Sequence, residues 1–154
     1  MIEINPLTDD GALAAARELI RAHIAAHSEA HNESDTAALI AALPAPYVPP
    51  AGGLWLAWDG LDALGCVALR PLTQDTAEVK RMYVRPGSRG SGIGRALAER
   101  VVVEARALGY ERLRLGTLTT MQAAQSLYAS LGFRPIPPYR AVEFGDTLFY
   151  ELEL

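Results

Sequence analysis

Apolar positions change their spacing several times along the 154-residue chain, and the changes divide it into elements. Glu3–Leu7 alternates briefly and reads as an edge strand closed by Pro6 and the Asp9-Asp10 pair. From Ala12 to about Ala26 the spacing becomes helical, with Leu13, Ala16, Leu19, Ile20 and Ile24 on one stripe. A polar stretch, Ser28–Asp35, separates it from a second helix that Ser34 or Asp35 would cap and Pro44 would end. A-P-A-P-Y-V-P-P then reads as an extended loop. Leu54–Trp58 and Ala63–Leu69 flank D-G-L-D, a hairpin signal, and Pro71–Gln74 turns into a third strand, Thr76–Val84. Ile93–Gly109 carries the longest helical stripe, and Gly109 would cap its end. Arg112–Gly116 alternates as a strand, Met121–Leu131 is helical, and Phe133–Ile136 and Thr147–Leu152 are further strands.

This order predicts one mixed α/β domain over residues 1–154. Three strands joined by short turns imply an antiparallel meander. The strand–helix–strand unit from Thr76 to Gly116 is long enough for a crossover, so its two strands should be parallel.

Composition narrows the class. Half the residues are hydrophobic and 21% are charged, as in a globular chain. The longest apolar runs fall far short of the roughly 18 residues of a membrane span. The N-terminal M-I-E-I-N-P-L-T-D-D has neither the basic region nor the apolar core of a signal peptide. With Cys66 as the lone cysteine, the expected location is the cytoplasm. A net charge of −4 argues against nucleic acid as the main partner. The charge is unevenly spread: residues 1–78 balance at −8 and residues 79–154 at +4. Lys80, Arg81, Arg85, Arg89, Arg95 and Arg100 cluster in or beside one glycine-rich stretch, which suits a small polyanion.

That stretch is R-P-G-S-R-G-S-G-I-G-R, between the third strand and the long helix. Strand, glycine loop and helix together offer bare N–H groups to an anion. No lysine follows the glycines, so the nucleotide P-loop pattern fails. G-x-G-x-x-G fails as well, since it would place Arg95 or Leu97 at its last position. What remains is Arg89-x-x-Gly92-x-Gly94 opening a helix. This [QR]-x-x-G-x-[GA] pattern resembles the acyl-CoA loop of the GNAT superfamily of N-acyltransferases. Downstream, A-A-Q-S-L-Y-A-S-L-G-F-R (Ala123–Arg134) is similar to that family's A-x-x-L-Y-x-x-x-G-F signature. The resemblance covers residues 54–154 well and the N-terminal third in outline.

The resemblance implies a mostly antiparallel sheet with a splayed parallel pair and helices on both faces. It implies acetyl-CoA as co-substrate, an amine as acceptor and direct attack of one on the other. Cofactor contacts would come from Met82, Tyr83 and Val84 on the strand, and from Arg89, Gly90, Ser91, Gly92, Ile93, Gly94 and Arg95 on the loop. Tyr128 would be the general acid at the sulfur; as a helix aromatic it would otherwise pack on the core. Glu78 would be the general base if its pKa is raised toward 7, and otherwise is an outward-facing strand residue. Met121 stands where the family often has Asn, and Thr117 or Thr119 would have to replace that contact. His23, His27 and His31 follow helical spacing, so they could chelate a metal, contact substrate or form a polar face; no metal is expected. Tyr47, Trp55, Trp58 and Cys66 read as packing residues. Pro135–Arg140, a rigid turn next to Glu143 and Asp146, would wall the acceptor site. The acidic N-terminal half points to a cationic acceptor, and a homodimer is compatible with the chain. Two rival readings are a non-catalytic acyl-CoA sensor on the same fold and, more remotely, a dinucleotide-binding enzyme.

Overall fold

The computed structural model describes residues 1–26, 33–141 and 146–154. His27, His31, Glu143 and the Ser34 side chain lie outside that description. Among the described residues seven strands form one sheet, β1 (Ile2–Pro6), β2 (Gly53–Asp59), β3 (Asp62–Pro71), β4 (Thr76–Val84), β5 (Arg112–Leu118), β6 (Arg134–Ile136) and β7 (Thr147–Glu153). Their order is β1-β2-β3-β4-β5-β7-β6, with β4 and β5 the one parallel pair. The mixed sheet expected from the sequence is therefore found. What the strand pattern left open is that β7 inserts between β5 and β6.

Two helical layers cover the sheet. On one face lie α1 (Asp10–Ala25) and α2 (Glu33–Ala42). Asp9 starts α1 by accepting a hydrogen bond from the Ala12 N–H at 2.7 Å, which satisfies one orphan donor of the first turn. Leu19, Ile20 and Ile24 of α1 then pack on Leu54, Leu56, Cys66 and Ala68. On the other face α3 (Ile93–Ala107) lays Ile93, Leu97, Val101 and Ala105 on Val67, Leu69, Ala77, Val79, Leu113 and Leu115, joined by Tyr128 of α4 (Gln122–Ser130). Because both faces are covered, β2 and β3 read as continuous apolar runs although they are antiparallel. No described helix is long and apolar enough to cross a membrane.

Candidate active site

Strand β4 does not keep one alternation along its length. Ala77 and Val79 face the α3 layer, and so do Met82 and Val84. Residues 79 and 82 can share a face only if one extra residue lies between them. The register shows that residue: Cys66 pairs with Tyr83 but Ala68 pairs with Lys80, so two steps on β3 oppose three on β4. Arg81 sits at this bulge with φ 55°, a left-handed conformation that is uncommon for a non-glycine residue. Two contacts hold it. The buried Cys66 thiol donates to the Arg81 carbonyl at 3.2 Å, and Arg81 Nε donates to the Tyr47 hydroxyl at 3.1 Å. Burial pushes the Cys66 thiol up to about 12, against the lowering pull of Arg81 and Arg85, so it stays protonated and able to donate. Cys66 is thus a packing residue, as expected, with a hydrogen bond the sequence did not reveal.

The parallel pairing of β4 with β5 stops early. Thr76, Ala77 and Glu78 pair with Arg112, Leu113 and Arg114, and nothing pairs beyond them. Past this point the strands diverge into a fork. A cavity of about 160 Å³ occupies it, lined by Val79–Met82 of β4, Leu115–Leu118 of β5, Tyr128 and Arg140. Tyr128 is buried, tilted against Phe133 at 5.5 Å, and its hydroxyl hydrogen-bonds no described residue. Burial raises its pKa well above the ordinary phenol value, so the proton is retained at neutral pH. Met121 lines the same space, with its sulfur 3.8 Å from the Thr117 hydroxyl.

His23, Met121 and Ala124 also line a second, more open cavity of about 560 Å³, so the two form one cleft. The second part is walled by Tyr83, Val84, Arg89, Gly90, Gly92, Gly94 and Arg95. Gly92 is the N-cap of α3 at φ 86°, a conformation that suits glycine, and no side chain caps the helix. The Ala96 N–H is the first to bond back, to Gly92 O at 3.0 Å. The N–H groups of Ile93, Gly94 and Arg95 therefore point out of the positive helix end. Arg89 reaches over the Tyr83 ring at 5.7 Å and donates through Nε to Val84 O at 3.0 Å. Arg95 is braced by Ser130 (2.5 Å) and Glu99 (3.5 Å). The Ser91 hydroxyl donates to Ser88 O, tightening the turn. Together these groups form an anion cradle at one end of the cleft.

Glu78 lies on the opposite face from α3, at the point where the fork opens, with a side chain 0% exposed. Arg70 donates to its Oε1 through Nε at 2.8 Å and Nη2 at 2.7 Å. Tyr139 and Arg140 donate to Oε2 at 2.5 and 3.0 Å. Burial pushes the carboxyl up, but the Tyr139 hydrogen bond, the Lys80 charge and the two arginines outweigh it and hold it below the usual carboxylate range. This corrects the expectation of a pKa raised toward 7. The carboxylate is ionised and all its surroundings are donors.

Lys80 differs from its neighbours. It lines the fork and makes no hydrogen bond or ion pair with a described residue. Burial pulls it down to about 8, opposed by Glu78 and assisted by Arg140, Arg81 and Arg70. Arg140 lies against β5 at Gly116, where a Cβ would sit 3.1 Å from Nη2 and 3.2 Å from both Phe149 and Thr147 side-chain carbons. Glycine at 116 is what lets the guanidinium lie flat there, stacked 5.2 Å from the Phe149 ring centre.

The structure thus brings Met82, Tyr83, Val84, Arg89, Gly90, Gly92, Gly94, Arg95 and Tyr128 to the walls of one cleft, whereas Glu78 is buried beside it against Arg140 and neither Ser91 nor Ile93 lines it. His23 joins the walls, in ring contact with Tyr83 at 5.7 Å. The sequence placed Lys80 and Arg81 only in the basic cluster beside the glycine stretch, Tyr47 as packing and Tyr139 in the Pro135–Arg140 wall, and gave none of them a separate role in the site. Arg140 had appeared only as part of a wall. A K-R pair following an acidic strand residue was the one available signal, and without the bulge it places its two side chains on opposite faces.

The chain matches the sequence pattern of the Acetyltransferase (GNAT) family over residues 16–133. It is 38% identical over 110 residues to an uncharacterized N-acetyltransferase of Schizosaccharomyces pombe, covering 70% of this chain and 68% of that one. It is 38% identical over 115 residues to N-acetylaspartate synthetase of Danio rerio, covering 73% of this chain but only 38% of that protein. The Salmonella typhimurium protein yncA, solved with its cofactor acetyl-CoA, superposes with a TM-score of 0.79 at 26% identity, over 99% of this chain and 94% of that one.

Proposed function

The chain belongs to the Acetyltransferase (GNAT) family, and from that premise we propose that it moves an acetyl group from acetyl-CoA to a primary amine. One observation carries the reading. The β4–β5 pairing ends at Glu78, and the fork it opens runs without a break to the uncapped N-terminus of α3. A long ligand with an anionic end and a small reactive end fits a cleft of that form.

In this reading the N–H groups from Gly92 to Arg95, with Arg89, Gly90 and Ser91, receive the pyrophosphate. Met82, Tyr83 and Val84 offer backbone groups to the pantetheine arm, since the β5-facing edge of β4 has no strand partner there. The amine nitrogen forms a C–N bond to the thioester carbon, the C–S bond breaks, and the amine releases one proton to water. Tyr128 supplies a proton to the departing thiolate and recovers one from solvent. Its raised pKa keeps that proton available across the neutral range. Glu78 has no role as a base in this scheme. Its lone pairs are engaged, so it serves as the anchor that fixes Arg70 and Arg140 beside the fork.

The name of the Danio rerio relative, N-acetylaspartate synthetase, supports an amine acceptor. Calorimetric titration with acetyl-CoA, followed by thiol release across a panel of amines, tests the reading. Micromolar to sub-millimolar binding and amine-dependent thiol release are expected. Absence of binding at millimolar acetyl-CoA overturns it. Binding with thiol release indifferent to every amine favours the sensor reading instead.

A further inference from the structure

The charges around the fork have a sign that the overall composition does not foretell. The chain is net −4, yet no Asp or Glu lines the fork among the described residues. Four cations, Arg70, Lys80, Arg81 and Arg140, gather about the single carboxylate of Glu78. Arg114 adds nothing to the imbalance, because Glu151 pairs with it at 2.7 Å. Glu78 is shared between Arg70 and Arg140, and among the described residues neither Lys80 nor Arg81 has a carboxylate within ion-pair distance. Arg81 Nε donates to the Tyr47 hydroxyl, and Lys80 has no hydrogen-bond partner among the described residues.

The bulge makes this arrangement. Regular alternation would send Lys80 and Arg81 to opposite faces. The extra residue in β4 instead puts Lys80, Arg81 and Tyr83 on the α1–α2 face, leaving Val79, Met82 and Val84 on the α3 face. On the far side of the fork Gly116 makes room for Arg140 to lie along β5. Cations therefore stand on both arms of the fork, on the face away from the anion cradle of α3. A cluster of like charges, partly shut off from water and unmatched by carboxylates, is costly alone and is relieved by an anionic ligand.

We propose that the acceptor is a short amino-dicarboxylic acid, with one carboxylate received by Lys80 and Arg81 on β4 and the other by Arg140 over Gly116, so that its amine points into the fork. This rests on the acetyl-transfer reading and names the acceptor class for the same site. A cationic acceptor, which the acidic N-terminal half pointed to, would meet a cluster of four cations balanced, among the described residues, by the single carboxylate of Glu78.

The test is thiol release from acetyl-CoA with L-aspartate, L-glutamate, L-alanine, L-lysine and spermidine, alongside calorimetry with acetyl-CoA alone. The expected result is a kcat/KM for an acidic amino acid at least ~100-fold above that for L-lysine or spermidine, the size of two lost charge-assisted contacts. Lys80→Met should raise KM for the acidic acceptor about 10- to 100-fold, and Lys80→Arg should restore most of it. Acetyl-CoA affinity, read by the same calorimetry, reports that each variant is folded. Turnover of neutral or cationic amines at equal or greater kcat/KM overturns the acceptor assignment and leaves the transferase reading standing. Unchanged KM in Lys80→Met also overturns it. No binding of acetyl-CoA to the parent protein overturns the transferase reading itself.

Discussion

Glu78→Gln separates an anchor from a base, and the structure sets the size of the effect. The carboxylate is 0% exposed and accepts from Arg70 (2.8 and 2.7 Å), Tyr139 (2.5 Å) and Arg140 (3.0 Å). Glutamine keeps the shape and one acceptor oxygen. Its amide nitrogen, however, must face a donor, and two guanidinium groups lose their counter-charge. Breaking a buried ion pair costs about 3–5 kcal/mol. Arg70 and Arg140 side chains remain 32% and 22% exposed and recover some hydration, which lowers the cost to about 2–4 kcal/mol. For a chain of this length 1 kcal/mol shifts Tm by roughly 2–4 °C, so a fall of about 5–15 °C is expected in thermal denaturation followed by circular dichroism.

The pH dependence has a fixed sign. The folded Glu78 pKa lies below the unfolded value, so its contribution is complete above the unfolded titration, about pH 4.3, and is lost as pH falls through the folded value. The Tm gap between parent and variant should therefore be full at pH 7 and shrink on acidification below about pH 4. Kinetically an anchor changes KM for the acceptor while the acid limb of the kcat profile survives. A general base would behave otherwise: kcat would drop about 100-fold or more and the acid limb would vanish. A Tm within 2 °C of the parent, together with that kinetic signature, refutes the anchor assignment.

Other perturbations probe the remaining parts of the cleft. Tyr128→Phe removes the phenol proposed to protonate the leaving thiolate, so kcat should fall about 100-fold while the acetyl-CoA dissociation constant moves less than threefold; equal kcat removes the general-acid role. Gly92→Ala adds a Cβ that touches nothing within 4 Å but must adopt φ 86°, which costs about 1–2 kcal/mol. A Tm loss of roughly 2–8 °C and weaker acetyl-CoA binding should follow, and unchanged values of both would mean the loop relaxes without disturbing the N–H cradle. Succinate, a dicarboxylate with no amine, should inhibit competitively with the acceptor. Lys80 holds its proton only below about pH 8, so the succinate inhibition constant should rise by about tenfold between pH 7 and 9.5, and a flat profile would count against Lys80 as its anchor.

Much of the fold was legible because period and punctuation agree along the chain. The hydrophobic stripe of α3 and the strand limits at Thr76–Val84 both follow from side-chain spacing. The anion cradle was legible for a similar reason: local backbone chemistry, glycine at positive φ before a helix, is written in adjacent residues. Strand order beyond β5 was not legible. β7 enters between β5 and β6 by pairing with both, and that choice is made by long-range packing rather than by the β7 sequence.

The acceptor side of the site was hidden by one residue. A bulge leaves no reliable mark in a strand sequence, yet it reverses the facing of every position after it. Read with strict alternation from Glu78, Arg81 falls on the α3 face and Tyr83 with it. In the structure both lie on the opposite face, Tyr83 packed among α1 residues and Arg81 against Tyr47. The same inserted residue brings Lys80 and Arg81 together on the acceptor face and Met82 back to the α3 side beneath the cleft. Cys66 holds this shift from β3 through its thiol hydrogen bond, a link across fifteen residues that no local pattern encodes. The charge on which the proposed acceptor rests is therefore a property of register: the same residues in an unbulged strand would present one cation to the fork face and bury the other against α3.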